Sequence, residues 1–145
     1  MAAIDTQTSF LTFIFNLLTA DSSLKTFMGG EVRLFPVWAQ EDAEFPYLVH
    51  RLDIKRGDIF PLARASYYID IWADDPNSTA VLNVRKRIIE LIDELRFSTN
   101  EIANGEIHIL GDGFVPETEP DIWHYALQFE IKFYRKSETE SILGR

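Results

Sequence analysis

The stretch from Trp123 to Tyr134 alternates without a break. Trp123, Tyr125, Leu127, Phe129, Ile131 and Phe133 are separated by His124, Ala126, Gln128, Glu130, Lys132 and Tyr134. A period of two belongs to an extended strand, whose successive side chains point to opposite faces. One face needs a core along its whole length and the other tolerates water, the pattern of an antiparallel sheet covered on one side. Two shorter runs repeat it. Over 47–54, Leu48, His50, Leu52 and Ile54 share one face and Tyr47, Val49, Arg51 and Asp53 the other. Over 63–72, Tyr67, Ile69 and Ile71 oppose Tyr68, Asp70 and Trp72.

The cover for such a face must come from amphipathic helices. Residues 6–20 place Phe10, Ile14, Leu17 and Leu18 at helical spacing, with Leu11 and Phe15 widening the stripe. A short helix follows from Asp21 to Met28, closed by Gly29-Gly30. Asp74-Asp75-Pro76-Asn77-Ser78-Thr79 offers capping side chains for a second long helix reaching about Arg96, with Val81, Val84, Ile88, Leu91, Ile92 and Leu95 as its buried stripe. Its basic triplet, Arg85 to Arg87, is followed by Glu90, Asp93 and Glu94, close enough to pair, so it reads as a solvated face. Val32 to Phe35 and Glu106 to Leu110 are further strands, and Gly111-Asp112-Gly113 reads as a turn. The order predicts an α+β two-layer sandwich: a mainly antiparallel sheet of four to five strands, covered on one face by two helices. Residues 1–135 form a single domain, and 136–145 are expected to be a flexible polar tail.

At 145 residues with 46% apolar content, the chain is long enough to bury a core without staples. It has no Cys, which excludes disulfides, thiolate catalysis and Cys-ligated metals. A net charge of −9 argues against binding nucleic acid along the surface, because that binding neutralises phosphates. More than half of that charge falls in residues 101–145, which hold 9 acids against 4 bases. No secretory start and no apolar run of membrane-spanning length is present, so a soluble intracellular protein is expected.

The chemistry-bearing motifs are sparse. There is no phosphate-binding loop, no Gly-x-Gly-x-x-Gly and no Gly-x-Ser-x-Gly turn. Asp74-Asp75 and Glu117/Glu119/Asp121 are carboxylate clusters without calcium-loop spacing, explained by helix capping and by a solvated loop. His50, His108 and His124 all fall in strands and read as half-exposed residues. Only convergence of His108 and His124 across paired strands would suggest zinc or a general base. Catalytic residues, cofactors and metals are therefore assigned to none.

Val32-Arg33-Leu34-Phe35-Pro36-Val37, a loop, and then Phe45-Pro46-Tyr47-Leu48-Val49-His50 resemble the opening of the small tail-terminator (tail-completion) proteins of long-tailed bacteriophages and prophages. The Tyr67 to Trp72 strand, the capped helix from about Asn77 and the Trp123 to Phe133 strand continue the resemblance over about residues 6–134. Residues 101–121 contribute nothing to it.

The resemblance implies a non-enzymatic virion protein of the tail or neck, assembled in the bacterial host cytoplasm. It would form a homohexameric ring on the last ring of the tail tube, stop tube growth and present a joining surface to the head–tail connector. Its partners would be itself, the tube protein and the connector or stopper protein. No membrane is implied, and DNA would pass through the lumen without specific binding. Axial contacts are then expected on loop 36–45 (Trp38, Glu41, Asp42, Glu44), on the 55–63 turn (Arg56, Asp58) and on 111–121 (Asp112, Glu117, Glu119, Asp121). The wide stripe of the first helix, Phe10, Leu11 and Phe15, is the expected subunit seam. The nearest alternative is a connector or stopper protein of the same neck. A small α+β ligand-binding protein or hydrolase is more remote, and would show a deep pocket with His108 and His124 converging.

Overall fold

A computed structural model describes residues 6–55, 61–74 and 78–135. The candidate contacts Arg56 and Asp58, the expected capping segment 75–77 and the polar tail 136–145 lie outside them.

In chain order the elements are α1 (Thr6–Thr19), α2 (Ser22–Phe27), β1 (Leu34–Pro36), β2 (Tyr47–Ile54), β3 (Leu62–Asp74), α3 (Ser78–Ile92), β4 (Arg96–Phe97), β5 (Ile102–Val115) and β6 (Ile122–Arg135). The six strands form one sheet in the order β1-β2-β3-β6-β5-β4. Every neighbouring pair is antiparallel except β1 with β2. The α+β sandwich is therefore the observed architecture, with two short edge strands completing the sheet.

The alternating residues of β2, β3 and β6 meet the helices as their pattern requires. Phe10, Ile14 and Leu18 of α1 and Val81, Val84, Ile88 and Ile92 of α3 are buried in one cluster with Leu48, Tyr67, Ile69, Phe129 and Ile131 of the sheet. Each such side chain contributes about 1.5–3 kcal/mol by leaving water. Phe97 of β4 closes one end of the core, stacked on Phe13 and tilted against Phe10. It packs flat over Gly105 of β5, where any Cβ would run into its ring.

Several boundaries differ from the sequence reading, each for a local reason. Gly111-Asp112-Gly113 is not a turn. It runs inside β5, just beyond an irregularity between Ile109 and Gly111, and the reversal comes at 116–121, bracketed by Pro116 and Pro120. A second irregularity between Ala103 and Glu106, with Asn104 at φ 52°, breaks the alternation and hides the early part of this strand from a period-two reading. Helix α3 stops at Ile92 rather than Arg96, because Glu94 takes a left-handed conformation (φ 61°) and donates its N–H to Ile107 O. Gly29 and Gly30, both at positive φ, end the short second helix as expected.

Candidate functional site

The topology sorts the candidate loops by sheet end. Strand β2 begins at Tyr47, β3 ends at Asp74, β5 ends at Val115 and β6 begins at Ile122, so all four termini share one end. The 116–121 reversal and the Phe45-Pro46 end of loop 37–46 therefore lie at that end, with the end of β3 between them; the loop itself starts beside His50, whose carbonyl accepts from Val37 N–H. Ile54 closes β2 and Leu62 opens β3 at the opposite end, where Arg135 N–H donates to Pro61 O.

Between the two loops runs a row of rings on the sheet face away from the helices. Tyr47, Trp72 and His124 are successive register partners across β2, β3 and β6. Tyr47 and Trp72 stack at 6.3 Å, Trp72 and His124 at 3.9 Å with 15° between planes. Phe45 joins from loop 37–46, 5.3 Å from Tyr47. The planes are near parallel, but only Trp72 and His124 are in close face-to-face contact; the other rings are offset. Beside it the Arg51 guanidinium lies 3.9 Å over the Tyr68 ring.

Each loop is pinned by charge at its base. Arg33 donates from Nε to the carbonyls of Glu44 and Pro46, both at 3.0 Å, and from a terminal nitrogen to Met28 O at 2.8 Å. Within this loop Val37 sits at φ 63°, where a β-branched residue is strained, and its neighbour Trp38 is 82% exposed. At the hairpin, Arg85 of α3 and the Tyr125 hydroxyl both donate to Asp112. Those hydrogen bonds hold the Asp112 carboxyl below the usual carboxylate range, against the opposing effect of burial. His124 faces Glu117 through Nδ1 and Asp70 through Nε2, each at 3.0 Å. Burial pulls its pKa down, but the two carboxylates outweigh burial and leave it raised.

Of the expected axial residues, Trp38, Glu41, Asp42, Glu44, Glu119 and Asp121 are exposed. Asp112 and Glu117 are exposed as well, and each also bonds within the chain, Asp112 to Arg85 and Tyr125 and Glu117 to His124. Phe10 is corrected from seam to core. It is 1% exposed and packs on Tyr67 and Phe97. Leu11 and Phe15 stay at the surface, beside a shallow groove of about 400 Å³ between α1 and β1 that Leu34 and Pro36 also line.

The histidines separate. His108 opposes Glu130 while His124 opposes Val115, roughly 20 Å further along the strands at ~3.3 Å per residue. His50 is not half-exposed: it is buried against the Tyr67 hydroxyl at 2.8 Å, and burial pushes its pKa down to about 4. The residues missed in the sequence are Asp70, Arg85 and Tyr125. Their faces follow from the alternation, but their partners depend on strand register.

No family model matches the chain, and no curated protein sequence matches it. Among solved structures, it is similar to a chain described as "Virion of native gene transfer agent (GTA) particle", with a TM-score of 0.67 and 10% identity over 83% of this chain and 91% of that one. At that identity, what the two share is the fold. No described helix is long and apolar enough to cross a membrane.

Proposed function

We propose that the protein is a structural component of a phage-like virion, and within it a tail terminator. It would form a ring on the tail tube, end polymerisation and offer the joining surface for the head-side connector. The observation that carries this reading is the fold shared with a chain of a virion particle over nearly the full length of both. The sequence resemblance over about residues 6–134 narrows it to the terminator. In this reading loop 37–46 and the 116–121 reversal supply the axial contacts. Leu11 and Phe15 form the seam. The exposed carboxylates of Glu41, Asp42, Glu44, Glu119 and Asp121 repel passing DNA or select a basic partner surface. The role is structural, not catalytic, and its place is the tail or neck of the virion.

Light scattering with negative-stain imaging tests it. A ring of six 16.7-kDa chains weighs about 100 kDa. If the chain is monomeric, binding to purified tail tubes decides. Binding to filled heads but not to tubes would make it a connector instead. Failure to form rings and to bind either particle would end the reading.

A further inference from the structure

One side chain holds the hairpin tip down. His124 is the third residue of β6, and both of its ring nitrogens face carboxylate oxygens at 3.0 Å, those of Asp70 on β3 and Glu117 in the 116–121 segment. A carboxylate only accepts, and a neutral imidazole carries a single N–H. Both contacts are satisfied together only by the imidazolium. The ring lies flat on the Trp72 indole, a face that favours a cation.

We propose that His124 is a charge-operated latch. Protonated, it ties the hairpin tip to the sheet; neutral, it keeps one carboxylate and releases the other. The carboxylate released is Glu117. Asp70 and His124 sit on adjacent paired strands, one step apart on the same face, since Trp72 is the register partner of His124 and Asp70 that of Ala126. The sheet itself fixes their approach. Glu117 belongs to an irregular, exposed segment, and among the described residues its side chain makes no other hydrogen bond or ion pair.

The charged groups facing His124 from the packed elements are all acidic. Asp70 comes from β3 and Glu117 from the tip, and Glu119 lines the same cavity of about 250 Å³ as Glu117 and His124. Strand β5 presents Val115 opposite it. This setting favours the charged ring, and the carboxylates raise its pKa in spite of burial. The tip is therefore fixed at mildly acidic pH and freed as pH rises through the histidine's titration. Release opens the cavity walled by Phe114, Ile122 and Trp123 beside the proposed docking loop. What the latch would regulate rests on the terminator reading; the latch itself does not.

The test uses the full chain alone, without virion components, so its failure is separable from failure of the functional reading. His124 ring NMR is titrated from pH 5.5 to 9 alongside hydrogen exchange of residues 116–121, corrected for intrinsic rates. The expected result is one transition with a midpoint above 6.5, the ordinary histidine value. Tip protection should fall several-fold across it. His124→Gln should abolish the pH dependence of protection. Glu117→Gln, an outward change with no threat to folding, should lower the midpoint and leave the tip unprotected throughout. A wild-type midpoint at or below 6.5, or tip protection that is flat across the titration, overturns the proposal.

Discussion

His50 and Tyr67 are mutual partners in the core, 2.8 Å apart and both buried. Tyr67→Phe should cost about 1–2 kcal/mol at neutral pH, because the imidazole nitrogen loses its partner where water cannot replace it. The same pair sets an acid limit. With its native pKa at about 4 against 6.5 when unfolded, His50 binds a proton more readily in the unfolded chain. Its stabilising effect is complete above 6.5 and is lost as pH falls toward 4. Urea denaturation at pH 7 and pH 5 should therefore show wild type losing on the order of 1–2 kcal/mol more than His50→Gln. Val37 carries strain of a different kind. Val37→Gly should raise stability by about 1 kcal/mol, since glycine accepts φ 63° without a Cβ penalty. An unchanged denaturation midpoint would show that the surrounding loop already absorbs it.

At the scale of elements, a six-residue helix such as α2 is far too short to persist alone. Asp21 supplies what it lacks. One carboxylate oxygen accepts from Leu24 N–H as an N-cap, while both oxygens take a bidentate pair of bonds from Arg87 of α3 at 2.9 and 2.7 Å. The Arg87 bonds, then the Leu24 bond, hold the Asp21 pKa below its usual value, although burial opposes them. Asp21→Asn keeps an acceptor for the cap but loses the charge. Asp21→Ala loses both, and should cost about 1 kcal/mol more from the cap alone. Equal losses in chemical denaturation would mean that the ion pair, not the cap, holds α2 in place. Arg85 plays the matching part for the β5–β6 hairpin, reaching from α3 to Asp112 and Tyr125.

At the scale of the whole molecule, loops 37–46 and 116–121 carry exposed side chains outside the core, so changes there should separate assembly from folding. Glu119→Lys removes no side-chain hydrogen bond or ion pair among the described residues and should move stability by less than about 0.5 kcal/mol. Trp38→Ser should likewise spare the fold, because the side chain is 82% exposed. Each should weaken binding to tail tubes, the tryptophan change by about tenfold or more if that ring is an anchor. Normal tube binding by both variants, measured by cosedimentation, would remove this end from the docking surface.

The sequence by itself determined the layers. Alternation in β2, β3 and β6 and helical spacing in α1 and α3 fix which side chains need a core, because side-chain direction follows from backbone geometry alone. It placed Tyr47, Trp72 and His124 on uncovered faces for the same reason. Register is a different matter: it depends on pairing between distant segments, and no local period encodes it. Only the tertiary structure decided that those three rings stand in line, that His124 meets Asp70 and Glu117, and that His108 lies far from it. Only packing buried Phe10, since a wide apolar stripe does not say which edge the sheet will take. The bulges in β5 masked a strand for a related reason. An inserted residue shifts the alternation, and only hydrogen bonding to β6 shows that the strand continues.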